Sequence, residues 1–164
     1  EEKDPLFFIE IVRSLRNVFP LVKALMVGSG PLEGECKKLI VRYGLEQNIR
    51  LVGFQGNPYG YMAKARILII PSRWEGYGLV AYESLVLGTP VLCRPVGGLR
   101  NLLQDGQGVT FCNTLEEFVA AAIQSLCSEE RLARQRAAAL AFAETLPDSN
   151  EFLAGIRRVY AEVI

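Results

Sequence analysis

Residues 67–93 read I-L-I-I-P-S-R-W-E-G-Y-G-L-V-A-Y-E-S-L-V-L-G-T-P-V-L-C, which contains a strand, a loop, a helix and a second strand. The apolar run 67–70 is typical of a strand buried on both faces, and Pro71 ends it. Residues 79–87 have helical spacing and are followed by glycine and proline, which are helix stop signals. The run 91–93 is a second short apolar segment. Two such strands joined through a helix predict a parallel βαβ unit.

The same alternation extends along the whole chain. Strands are predicted at 22–27, 49–52, 67–70, 91–93 and 109–112. Helices are predicted from Asp4 to Pro20 and at 32–43, 59–64, 79–87, 99–104, 114–126, 128–144 and 150–163. This order implies an α/β protein with a Rossmann-like, doubly wound parallel sheet and helices on both faces. Half of the 164 residues are apolar, so we predict one domain, 1–164.

Composition excludes several classes of function. Eighteen basic residues balance eighteen acidic ones, which argues against nucleic acid as a partner and against a polybasic membrane patch. Histidine is absent, so Ser-His and Cys-His nucleophile pairs and most zinc sites are excluded. The four cysteines are widely spaced and predict reduced, mostly buried thiols in a cytoplasmic protein. No apolar run has the length of a membrane-spanning helix.

Glu83 is the one charged residue of the predicted helix 79–87. Its neighbours three and four residues away are all apolar, namely Leu79, Val80, Val86 and Leu87. Burying an unpaired carboxylate is costly, so we expect something polar to meet Glu83. The alternative is that Glu83 satisfies a neighbouring backbone group or an arginine.

The loop before this helix favours a phosphate. Gly76 and Gly78 leave backbone N–H groups free to approach a ligand at the predicted helix start, where the positive end of the helix dipole lies. Glu75 lies beside this point, and Glu83 lies two turns along the helix. Two carboxylates at that separation can accept hydrogen bonds from two different polyols.

Two further glycine loops each have two interpretations. Gly28-Ser29-Gly30 with Gly34 is either a dinucleotide fingerprint, which Pro31 weakens, or a tight turn from strand to helix. Gly97-Gly98 is either a plain turn or a place where the backbone approaches a ligand closely.

Side chains near the predicted strand ends are also open to two interpretations. Arg73 and Arg94 either bind phosphate or are solvated. Trp74 and Tyr77 either face a sugar or pack on the surface.

Several of these features occur together in one known family. The segments Pro71-Ser72, Glu75-Gly76-Tyr77-Gly78-Leu79, Glu83, Gly88-Thr89-Pro90-Val91 and Gly97-Gly98 resemble the C-terminal donor-binding domain of group-one glycosyltransferases. The resemblance extends from Lys3 to Tyr160. Members of this family are retaining enzymes with two Rossmann domains, the GT-B fold, so the resemblance implies the C-terminal half of a GT-B architecture.

The resemblance also implies roles for single residues. Glu75 would be the catalytic residue and accept hydrogen bonds from the transferred hexose, while Glu83 would accept the ribose hydroxyls and Lys3 would contact the diphosphate. The implied donor-binding residues are Lys3, Gly53, Phe54, Glu75, Gly76, Tyr77, Gly78, Leu79 and Glu83, with the base near Gly53 and Phe54. No metal and no cofactor are implied, since the nucleotide sugar is the substrate.

The sequence departs from the family in three features. The family has a strand and an arginine just before the lysine that Lys3 matches, and neither is present here. Asn101 stands where many relatives have a carboxylate, and the N-terminal acceptor domain is absent. We therefore expect a fragment whose partners are a nucleotide-diphospho-sugar and the acceptor domain of the same parent chain, with any membrane contact made by missing parts. Upstream residues or another chain should fill the sheet slot between the strands that end at Val27 and Ile70.

The predicted function is donor binding for retaining, metal-independent glycosyl transfer to a sugar, lipid or other acceptor, with the isolated domain inactive. The alternative is a noncatalytic nucleotide-sugar-binding or regulatory module, and a dehydrogenase is a third possibility. The sequence leaves open the base, the sugar and the acceptor.

Overall fold

The computed structural model of the protein describes residues 2–146, and helices and strands alternate throughout them. The helices are α1 (Pro5–Arg16), α2 (Glu33–Arg42), α3 (Tyr59–Lys64), α4 (Leu79–Val86), α5 (Gly97–Leu102), α6 (Leu115–Cys127) and α7 (Glu129–Ala143). The strands are β1 (Ala24–Val27), β2 (Ile49–Gly53), β3 (Leu68–Ile70), β4 (Val91–Cys93) and β5 (Val109–Phe111). Every element predicted within these residues is present, with several ends shifted by a few residues. The helix predicted at 150–163 lies outside the described residues.

The strands of the described residues form two sheets in which every pair is parallel. β1 pairs with β2, and β4 lies between β3 and β5. The parallel α/β architecture predicted from the alternation is therefore confirmed. β1 and β3, which were expected to flank a further strand, do not pair with each other.

Strand β4 is buried on both of its faces. Val91 and Cys93 pack in one hydrophobic cluster with Leu85 of α4, while Leu92 packs in another cluster with Phe118 of α6. All five side chains are fully buried. The three-stranded sheet therefore carries helices on both faces, which is why its strands contain apolar residues without alternation.

Within residues 2–146, strand β1 is covered on one face only, which corrects the prediction of a strand buried on both faces. Ala24 and Met26 pack in a cluster with residues of α1 and α2, whereas Leu25 and Val27 are 47% and 38% exposed. The apolar run was enough to indicate a strand. Whether its second face is buried depends on helices packing against that face, which the run itself does not reveal. Among the described residues, the helices of this cluster lie on the Ala24 side.

No helix within residues 2–146 combines the length and the apolar character that crossing a membrane requires.

Three of the four cysteines are buried free thiols, as predicted. Cys36, Cys93 and Cys112 are buried, and Cys127 at the end of α6 is exposed. Burial raises the pKa of Cys93 to about 12 and that of Cys112 to about 11, and nearby carboxylates add to both shifts. Because the thiolate is the reactive form, these two thiols are inert at neutral pH.

We expect the thiol reagent DTNB to modify one cysteine rapidly in the folded protein at about pH 8, because Cys127 alone is both exposed and free. The other three should react only after unfolding in guanidinium chloride. The Cys127→Ser variant is the control and should lose the rapid phase. Rapid modification of Cys93 or Cys112 in the folded protein would contradict the burial described above.

Candidate functional site

The loops that follow β3 and β4 lie against each other at the carboxyl edge of the three-stranded sheet. The N–H of Gly98 donates to the carbonyl of Glu75 at 3.1 Å. A Cβ on Gly97 would overlap the Glu75 carbonyl, and a Cβ on Gly98 would overlap the Gly76 carbonyl. The double glycine is therefore required by a close backbone approach to the protein's own Glu75 loop, whereas the sequence left open a plain turn or an approach to a ligand.

Glu75 lies at the centre of the site and is 8% exposed. Its two carboxylate oxygens accept hydrogen bonds from the ammonium of Lys3 at 2.7 and 2.8 Å, and Oε1 also accepts from the Ser72 hydroxyl at 2.7 Å. The structure thus brings two predicted site residues, Lys3 and Glu75, into direct contact. Sequence analysis missed Ser72 as a partner, although its place three residues before Glu75 in the same loop was a usable signal.

Asp4 holds the segment that carries Lys3. Oδ2 of this buried carboxylate accepts from Arg73 Nε and from Arg94 Nη1, both at 2.9 Å. Burial alone would raise the pKa of Asp4, but the two guanidinium groups outweigh burial and hold it below its usual value. Arg94, whose side chain is 16% exposed, thus binds a carboxylate, which is neither of its two predicted environments. Arg73 donates to the same carboxylate, but its side chain is 72% exposed, in keeping with the solvated alternative. From the sequence, Asp4 was predicted only as the first residue of a helix.

The start of α4 presents open backbone donors. Gly78, the residue before the helix, has a left-handed backbone with φ of 66°. Within residues 2–146, the N–H groups of residues 76–80 donate to no acceptor. The positive end of the helix dipole lies at the same point, and binding of an anion at this loop stays a prediction.

Glu83 does not lie among core residues, which corrects the prediction made for it. Its four apolar neighbours are themselves exposed, namely Leu79, Val80, Val86 and Leu87. The buried residues of α4 are Ala81, Ser84 and Leu85. The helix is apolar nearly all round, so its periodicity could not select the buried face. The cost of burying a carboxylate is therefore no evidence for a ligand at Glu83.

Tyr59, at the start of α3, is a hydrogen-bond partner of Glu83. Its hydroxyl donates to Oε1 of Glu83 at 3.3 Å. Gly53 ends β2 with φ of 76°, and its carbonyl accepts from the N–H of Gly28 at 2.8 Å. Phe54 follows and is 78% exposed. The structure thus gives Glu83 a polar partner in Tyr59, a residue that the sequence did not identify, and it leaves Phe54 exposed after β2.

Two exposed aromatic rings, Trp74 and Tyr77, also lie in the Glu75 loop.

Among the described residues, no group of three or more acidic or cysteine side chains is placed to hold a metal ion. The positive charge at the site comes from the ammonium of Lys3, the two arginines and the helix start.

Known proteins resemble this chain in sequence and in structure. The alpha-D-kanosaminyltransferase of Streptomyces kanamyceticus is 26% identical over 164 residues, which cover 96% of this chain and 42% of that protein. TarM of S. aureus matches with a TM-score of 0.86 at 18% identity, over 96% of this chain and 33% of that one. Anabaena HepE, solved with UDP-glucose, matches with a TM-score of 0.78 at 24% identity, over 99% of this chain and 45% of that one.

The chain spans less than half the length of each of these three proteins. Its fold is that of the C-terminal half of GT-B transferases, as the resemblance implied. Residues 1–141 match the family "Glycosyl transferases group 1". Since this match covers most of the chain, the protein belongs to the group 1 glycosyltransferases.

Proposed function

We propose that this chain binds a nucleotide-diphospho-sugar donor for retaining, metal-independent transfer of a hexose to an acceptor. The observation that carries the proposal is the contact between Lys3 and Glu75 beside the open start of α4. At one sheet edge, the cation and the row of N–H donors suit the diphosphate of such a donor, and the carboxylate of Glu75 suits the hydroxyls of its sugar. TarM and HepE, which share this fold, were solved with UDP and with UDP-glucose, and this supports UDP as the nucleotide.

The diphosphate has two sources of positive charge at this edge. The ammonium of Lys3 carries three N–H donors, of which two are used on Glu75, so one is available to a phosphate oxygen. The Lys3 side chain is 67% exposed, which keeps that donor accessible. The N–H groups of residues 76–79 supply further donors, as helix starts do for phosphates in other proteins.

Glu75 is the proposed partner of the transferred hexose. Its carboxylate can accept hydrogen bonds from sugar hydroxyls while Lys3 and Ser72 fix its orientation. Glu83 is the proposed partner of the ribose, because Tyr59 engages only Oε1 and the carboxylate retains further acceptor capacity. Gly53 and Phe54 are proposed to border the base.

The proposed reaction relies on position and charge. The family resemblance implies front-face transfer, in which the leaving diphosphate takes the proton of the acceptor hydroxyl. Lys3 and the start of α4 would stabilise the charge that develops on the diphosphate, and Glu75 would hold the hexose in place. None of these steps requires a metal ion or a protein acid or base.

The Glu83→Ala variant should bind UDP more weakly by about 1.5 to 3 kcal/mol, roughly a 10- to 150-fold rise in Kd, because a charged hydrogen-bond acceptor is lost. Isothermal titration calorimetry with UDP measures this loss. Val86→Ala is the matched control, since it truncates the same exposed helix face and should leave the affinity unchanged. UDP lacking both ribose hydroxyls should bind wild type and Glu83→Ala equally. Unchanged UDP affinity in Glu83→Ala would show that Glu83 does not bind the ribose.

The Glu75→Gln variant should lose turnover while its affinity for UDP stays nearly unchanged, because its proposed partner is the sugar and the glutamine amide oxygen can still accept a hydrogen bond from Lys3. We expect kcat to fall by about 10²- to 10³-fold, the usual effect of removing one aligned electrostatic contact. The turnover assay requires a protein that carries an acceptor domain as well as this chain. UDP binding is measured separately, with and without EDTA, to test whether binding depends on a metal ion. Full turnover in Glu75→Gln, or binding that EDTA abolishes, would overturn the proposed roles.

A further inference from the structure

Asp4 adopts a backbone conformation that residues with a side chain rarely adopt. Its φ and ψ are 48° and 55°, and it is the one non-glycine residue with positive φ among residues 2–146. It immediately precedes α1, yet its side chain caps no backbone N–H of that helix. A left-handed backbone at an aspartate persists only where surrounding contacts hold it. Since the Asp4 side chain caps no helix N–H, other contacts must hold this backbone conformation.

Those contacts join three segments of the chain. Arg73 follows β3 and Arg94 follows β4, and both donate to Oδ2 of Asp4. Arg94 Nη1 also donates to the Pro71 carbonyl at 2.6 Å, and its guanidinium lies 4.3 Å from the centroid of the Phe7 ring. Arg94 is thus held on several sides and gives Asp4 a fixed partner.

The residue before Lys3 is held as well. The backbone N–H of Arg73 donates to the carbonyl of Glu2 at 2.7 Å. Lys3 therefore lies between two fixed residues, Glu2 and Asp4. A lysine side chain has several rotatable bonds and loses conformational entropy when it binds a ligand. Because the backbone of Lys3 is already fixed, only the side chain loses entropy on binding.

We propose that Asp4 is a positioning residue for donor binding, whose ion pairs with Arg73 and Arg94 place the ammonium of Lys3 against Glu75 for the diphosphate. This inference rests on the proposed function, because it takes Lys3 to contact the diphosphate. Asp4 itself touches neither the donor nor the reacting atoms in this role. Its effect on affinity passes through Lys3, and that is what separates a positioning role from a purely structural one.

The test is a double-mutant cycle on UDP affinity in the protein, with wild type, Asp4→Asn, Lys3→Ala and the double variant. Asparagine keeps the size of aspartate and tolerates the left-handed region, so the change removes mainly the charge. Asp4→Asn should raise the Kd for UDP roughly 5- to 20-fold, as coupled neighbouring groups do, and should have no effect once Lys3 is alanine.

Two further variants keep the cycle interpretable. Glu10→Gln is the matched control, because Glu10 lies on α1, pairs with Arg13 and accepts a hydrogen bond from Tyr43, away from Lys3. It should leave UDP affinity unchanged whatever it does to stability. Should Asp4→Asn fail to fold, Arg73→Gln removes one of the two partners of Asp4 and should give a smaller loss of affinity that again disappears in the Lys3→Ala background.

The outcomes distinguish this inference from the proposed function. Equal losses with and without Lys3, or unchanged affinity in Asp4→Asn and Arg73→Gln while wild type binds UDP, would overturn the positioning role alone. Absence of UDP binding in wild type would overturn the proposed function and this inference with it.

Discussion

The ion pairs of Asp4 with Arg73 and Arg94 join parts of the chain that are far apart in sequence. Asp4 stands before α1, Arg73 follows β3 and Arg94 follows β4, so one carboxylate connects the first helix to two strand ends. A carboxylate this buried is stable as an anion only because both guanidinium groups reach it. Lys3 precedes Asp4 and donates to both carboxylate oxygens of Glu75, so this connection lies directly beside the contact that carries the proposed function.

The second constraint is backbone contact between the loops after β3 and β4. Gly97 and Gly98 have no side chain, so the start of α5 can lie directly on the carbonyls of Glu75 and Gly76. This contact and the Gly98 hydrogen bond hold the backbone of the Glu75 loop in place. Within residues 2–146, the N–H groups at the start of α4 still have no acceptor. A binding site built on supported backbone needs little reorganisation when an anion arrives, which favours affinity.

The sequence was sufficient for the architecture because its signals are local. The runs that became β3 and β4 and the stop signals around them needed no knowledge of distant residues. The face of α4 was a different problem, since Leu79 and Val86 are as apolar as Leu85 and only the tertiary packing decides which is buried. The pair between Asp4 and Arg94 spans 90 residues and leaves no local pattern, so it could not be predicted. Lys3 was assigned from family resemblance alone, Glu75 was already indicated by its place beside the glycine loop, and their direct contact came from the structure.

Amide chemical-shift mapping during titration with UDP-glucose tests the location of the donor site most directly. A donor bound at the edge formed by β3 and β4 should give its largest shifts at the amides of residues 76–79, with further shifts at Gly53 and Phe54. Shifts confined to other surfaces, such as the loop 105–108 and α7, with the amides of residues 76–79 unmoved at saturation, would contradict a donor site at this edge.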